Sequence, residues 1–161
     1  MLSILFFLLL IHNCIAYERA IVRRVIAADT LHVQVQSAHV MVRVLGYDAF
    51  VTSPTDAKIV QQAARAGLTI KQTQEKARFA HNELHNMLTN TTVVMYMDPY
   101  QPENDEFECL LRHVVIDATR VFLSDLIMSY GWGLPYIPDS IVDEAIPLEM
   151  VQKKMEMLSF D

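Results

Sequence analysis

The sequence predicts an α+β fold: a five-stranded β-barrel of the OB type with about three flanking helices. Three observations predict it. Residues 20–44 hold three runs of alternating apolar and polar residues; two β-rich runs follow much later, "TTVVMYM" and "CLLRHVVI"; and between the two groups lies a segment with helical periodicity. Strand, strand, strand, helix, strand, strand, helix is the order of such a barrel.

Leu31, Val33 and Val35 alternate with His32, Gln34 and Gln36, and Val40, Val42 and Val44 repeat the pattern, so both stretches are strands, with residues 20–27 forming another. Residues 52–72 are too long for a tight turn and too polar for a core, and read as an excursion. From Thr73 to Leu88, Ala77, Ala80, Leu84, Met87 and Leu88 recur at helical spacing, with Glu75 near the positive end of the dipole. The two β-rich runs flank an acidic segment and are expected to pair antiparallel. A second helix, roughly Val121–Tyr130, stops at Gly131. A third is expected after Pro147, with Leu148, Val151, Met155 and Leu158 on one side. In domain terms, residues 1–16 read as a signal peptide, 17–137 as the barrel domain and 138–161 as a helical extension.

The first sixteen residues, "MLSILFFLLLIHNCIA", are apolar through Ile11 and close on Cys14 and Ala16, the small-residue spacing of a signal-peptidase site. They predict a secreted or ER-lumenal protein beginning at Tyr17. The rival reading, a membrane anchor over residues 2–16, has only about ten apolar residues where a span needs about twenty. Cleavage would leave Cys109 as the one thiol, which excludes an intramolecular disulfide framework. Asn90-Thr91-Thr92 is an N-glycosylation sequon in a polar turn, in keeping with secretion.

Net charge is −6 and unevenly spread: residues 17–81 carry nine Lys or Arg against five acids, and residues 82–161 carry four against fourteen. Asp98, Glu103, Asp105, Glu106 and Glu108 form an acidic stretch without a base, which reads as a solvated loop and disfavours a broad polyanion footprint. Nucleic acid is therefore a possible but disfavoured partner, and a protein partner is possible too.

"VIAADTLHV", "VRVLGYDAFV", "QEKARFAHNELHNML", "DEFECLLRHVV" and "LSDLIMSYGWGLPYI" come in an order and spacing that resemble the staphylococcal nuclease (thermonuclease) family over about residues 19–137. That family carries a D-G-D-T turn, an R-L-x-G-I-D-x-P-E strand end and a D-x-Y-G-R-x-L-A-Y-V segment. The resemblance implies a weak Ca²⁺ site at Asp29, Asp48 and the Ala49 carbonyl, oxygen ligands being what a hard cation requires, and a phosphate contact from Arg43. Taken singly, either acid is an ordinary turn residue.

The resemblance fails where the reaction needs it most. Val51 stands at the family's general-base glutamate, Cys109 at its second arginine, and Ala27 at the first acid of D-G-D-T. Losing a general base costs about 10² to 10⁴ in rate, and losing a transition-state clamp costs about 10² to 10³. Asp56 is a candidate displaced base. Arg112 lies three residues beyond Cys109 and should face away from it, and His113 has the right parity but lies farther along the strand. Cys109 reads as a small buried residue rather than a nucleophile. Of His32, His39, His81, His85 and His113, only His81 and His85 have a metal-ligand spacing, at i, i+4 and without a third ligand, a weak signal. The sequence thus supports a nuclease-like binding module with lost or weak hydrolysis. Its alternatives are an active Ca²⁺-dependent nuclease with a relocated base, and a secreted structural or effector protein whose acids only close turns.

Overall fold

The structure is a computed structural model and describes residues 17–53 and 55–136. The elements run β1 (Tyr17–Ala27), β2 (Thr30–Val35), β3 (Ala38–Val44), β4 (Tyr47–Ala49), α1 (Ala57–Ala66), α2 (Ile70–Leu88), β5 (Thr92–Tyr96), β6 (Leu110–Ile116), β7 (Val121–Phe122), α3 (Leu123–Ser129) and β8 (Gly133–Pro135). The helix expected after Pro147 lies outside the described residues, as does the expected signal peptide.

Five strands close a barrel in the order β3-β2-β1-β5-β6, with β6 returning to β3. The closing pair is parallel, Val42 opposite Leu110 and Val44 opposite Arg112, while the other barrel pairs are antiparallel. This is the OB-type barrel the strand order predicts. Alternation decides the inside: Val22, Leu31, Val33, Val42, Val93 and Val114 are buried in one core, joined by Leu84 and Leu88 from α2. In β1 the inward parity changes from Ala20 and Val22 to Val25 across the exposed pair Arg23 and Arg24. A register shift sits at that point, as a β-bulge requires. The bend lets β1 pair with β2 along one edge and β5 along the other.

Three helices differ from expectation. The excursion at 52–72 contains α1, opened by Asp56, whose side chain accepts from the Lys58 N–H, and closed by Gly67 at φ +65°. Helix α2 starts three residues earlier than its apolar period suggests, because Thr69 and Gln72 form a capping box. Thr73, Ala77, Ala80, Leu84 and Leu88 make its buried face, and Met87 points to solvent. The last helix, α3, is shorter than expected and is stopped at Gly131, φ +64°.

Close approach places the short strands. A Cβ on Gly133 would lie 3.0 Å from the Asp48 carbonyl oxygen, so glycine there lets β8 pair with β4, setting Leu134 opposite Asp48. The acidic segment is not simply a solvated loop. Asp98 is buried, accepting from the Tyr100 N–H and lying 3.5 Å from His113 Nε2, and Asp105 accepts the N–H groups of Phe107 and Cys109. Among the described residues no helix is long and apolar enough to cross a membrane.

Candidate functional site

Asp29 occupies the turn between β1 and β2, with its side chain 11% exposed. Its Oδ1 accepts from Thr30 Oγ1 at 2.8 Å and from Arg43 NH1 at 2.8 Å. The β2–β3 register sets Arg43 directly opposite Thr30, so the hairpin itself delivers the guanidinium to the turn. Arg43 Nε also reaches Asp105 Oδ2 at 3.4 Å. Burial works against the charge on Arg43, but Asp29 and then Asp105 outweigh it and raise its pKa above the ordinary arginine value. Burial likewise opposes ionisation of Asp105. The Cys109 and Phe107 N–H groups, together with Arg43, overcome it and hold that carboxyl below its usual range. Beneath them, the Tyr47 hydroxyl donates to the Ala28 carbonyl. Burial, then the negative charge of Asp29, pushes this phenol well above the ordinary tyrosine value, so it stays a neutral donor.

Asp48 is neutralised from a different direction. Its side chain is also 11% exposed, and α1 supplies its partners: Lys58 Nζ at 2.6 Å, Arg65 NH1 at 3.3 Å and Gln62 Nε2 at 3.1 Å. Positions 58, 62 and 65 lie on one face of a helix. Gln62, 1% exposed, does more: its Nε2 donates to the Ala49 carbonyl at 2.6 Å, and its Oε1 accepts the Val51 N–H at 3.0 Å. Arg65 NH2 donates to the Pro135 carbonyl at 2.8 Å and ties α1 to β8. The strap from 56 to 66 is thus fastened over the end of β4.

Protein donors reach each of the three groups expected to hold Ca²⁺: Asp29 Oδ1 from Arg43 and Thr30, both Asp48 oxygens from Lys58, Arg65 and Gln62, and the Ala49 carbonyl from Gln62. A cation binding there would compete with these donors. Among the described residues no three His, Cys, Asp or Glu side chains are grouped to hold a metal. Arg43, expected to face phosphate, pairs with two carboxylates and keeps 32% of its side chain exposed.

The remaining positions follow suit. The Val51 N–H donates to Gln62 Oε1, and Asp56 is exposed and caps α1 by accepting the Lys58 N–H on Oδ1. Cys109 is 6% exposed; burial, then Asp105, push its thiol up, which keeps it protonated and a poor nucleophile. Arg112 is buried beneath the acidic segment, with NH1 donating to the Leu111 carbonyl at 3.0 Å and NH2 lying 3.5 Å from a Glu103 carboxylate oxygen. His113 faces Asp98, and His81 Nε2 lies 3.2 Å from the Val25 carbonyl. Asn90 is exposed at φ +62°, its Oδ1 accepting from Arg23 NH1.

Sequence reasoning missed Lys58, Gln62, Arg65 and Asp105. The first three were findable: an Asp at the cap position, a Gly eleven residues later, and three polar side chains at helical spacing between them. No protein-family model matches the sequence, and no curated protein matches it.

Proposed function

We propose that this chain is a secreted or ER-lumenal staphylococcal nuclease-like domain that has lost efficient phosphodiester hydrolysis and serves as a binding module. The observation that carries the reading is the pairing of Arg43 with Asp29 and Asp105. The guanidinium that would grip a phosphate is neutralised within the fold, and no carboxylate stands at position 51 to activate water.

Two backbone details support the nuclease-like register. Gly46 adopts φ +101° in "LGYD", where the family strand end has its glycine. Glu108 adopts φ +61° at the place of the glycine in D-x-Y-G-R, a conformation that costs a residue with a Cβ roughly 1 kcal/mol or more. The acidic back half favours a protein partner over a nucleic acid. Glycosylation at Asn90 belongs to the same reading, and a mass loss on glycosidase treatment of secreted protein would show it.

The test is release of fluorescence from a quenched single-stranded oligonucleotide, DNA or RNA, with calcium and with chelator. The domain should show no calcium-dependent cleavage. The double variant Val51→Glu, Cys109→Arg should gain some, and either single change much less. Brisk cleavage by the unaltered chain would replace this reading with an active nuclease. A folded double variant as inert as the parent would show that positions 51 and 109 are misplaced.

A further inference from the structure

The outer face of the β2–β3 hairpin carries a group of side chains the candidate site does not use. His32 and His39 stand on neighbouring antiparallel strands with ring centroids 5.1 Å apart, tilted by 30°. The register sets Met41 directly opposite His32 and His39 directly opposite Gln34, so all four share one face. Gln34 is occupied, its Oε1 accepting from Arg23 Nε and NH2 and its Nε2 donating to the Gln36 carbonyl. Among the described residues neither imidazole has a hydrogen-bond partner. His39 and Met41 also line an open cavity of about 510 Å³, whose other wall includes Asn104, Phe107 and Glu108.

We propose that His32, His39 and Met41 bind a copper(I) ion. The spacing comes first. With a metal–nitrogen bond of about 2.0–2.1 Å, ring centres lie about 3.2 Å from the ion, and two imidazoles at a tetrahedral angle have centres about 5 Å apart. The hairpin pair meets that spacing as it stands. The other histidine pair, His81 and His85 on α2, has centroids 6.3 Å apart, and His81 already faces the Val25 carbonyl. At that separation two imidazoles reach one ion only in a nearly linear arrangement, a geometry Cu(I) also accepts, so the hairpin pair is preferred for its third ligand, Met41, and because His81 is engaged.

Ligand softness selects the metal. Two imidazoles suit copper and zinc alike, but a thioether in third place selects Cu(I). Charge points the same way. Arg24 is the partner of His32 across β1, and its positive charge opposes a divalent ion twice as strongly as a monovalent one. Glu108 on the cavity wall offsets part of that field.

The test is an anaerobic titration of the full chain with Cu(I) against a chromogenic Cu(I) chelator, with Zn(II) titrated in parallel. The expected result is one Cu(I) per chain, retained in Cys14→Ser, Cys109→Ser, which excludes thiol capture. His32→Gln and His39→Gln should each weaken it by more than the roughly tenfold lost when a group supporting a ligand is removed. Met41→Leu should weaken Cu(I) while leaving Zn(II) unchanged. In the unaltered chain, NMR should show the ring protons of these two histidines shifting on addition of diamagnetic Cu(I), a readout independent of any variant's folding. Absence of binding, undiminished binding in His32→Gln, His39→Gln, loss in His85→Gln instead, or a Met41→Leu variant that binds Cu(I) as before would each overturn the proposal.

Discussion

Asp29 and Asp48 are equally shielded, each side chain 11% exposed, yet they are neutralised by different kinds of structure. Asp29 is paired from within the barrel: Arg43 comes from the next hairpin, locked opposite Thr30 by strand register. Asp48 is paired from outside it, by side chains of a helix lying between β4 and α2. The first pairing draws its cation from a residue that strand register sets beside the turn, whereas the second can be undone by altering the strap alone. Charge compensation at Asp29 is part of the fold, and at Asp48 it is a cover placed on the fold.

This contrast fixes the order of the expected effects. The largest belongs to Arg43→Ala, which strands Asp29 and Asp105 together. It should cost about 2–3 kcal/mol, short of the roughly 3–5 kcal/mol of a fully buried pair because the guanidinium is 32% exposed, read as a lower urea midpoint with unchanged slope. Gln62→Ala should come next at about 2 kcal/mol, because it leaves the Val51 N–H unsatisfied and removes donors from Asp48 and Ala49. A cost for Gln62→Ala larger than that for Arg43→Ala would reverse the contrast.

Acid should separate the two regions further. Asp105 is held below the usual carboxylate range, so its contribution to stability is fully present above a pH of about 4 and is lost as pH falls through its lowered native value. Thermal unfolding should therefore show an acid limb below that pH, shallower in Asp105→Asn. The smallest stability effect is expected for Lys58→Ala, under about 1 kcal/mol, because the lysine is well exposed and such pairs are screened by solvent.

The barrel was largely legible in the sequence because its signal is local. Leu31, Val33, Val42 and Val44 alternate, and each of them is buried. The parity change at Arg23 and Arg24 was hidden, since a bulge shows itself only against a partner strand. Helix α1 was misread as an irregular excursion because Ile59, Gln62 and Ala63 bury a narrow face, two of whose three residues are not strongly apolar. Of the candidate site, the acids Asp29 and Asp48 at the strand ends were legible, and the partners that Lys58, Gln62 and Arg65 give Asp48 were not. That Arg43 would turn to Asp105, 62 residues away, depends on the parallel closure of β3 on β6, and no local pattern encodes that.

The central claim is that the protein's own cations and amides sit where a metal would be held. Calcium calorimetry on the unaltered chain, Asp48→Ala and Lys58→Ala, Arg65→Ala tests it most directly. The account predicts that the unaltered chain binds Ca²⁺ no more tightly than the roughly 10⁻⁴–10⁻³ M of weak extracellular sites. Removing the two strap cations should tighten binding, and Asp48→Ala should abolish whatever remains. Micromolar binding by the unaltered chain, lost in Asp48→Ala and unchanged by removal of Lys58 and Arg65, would contradict it.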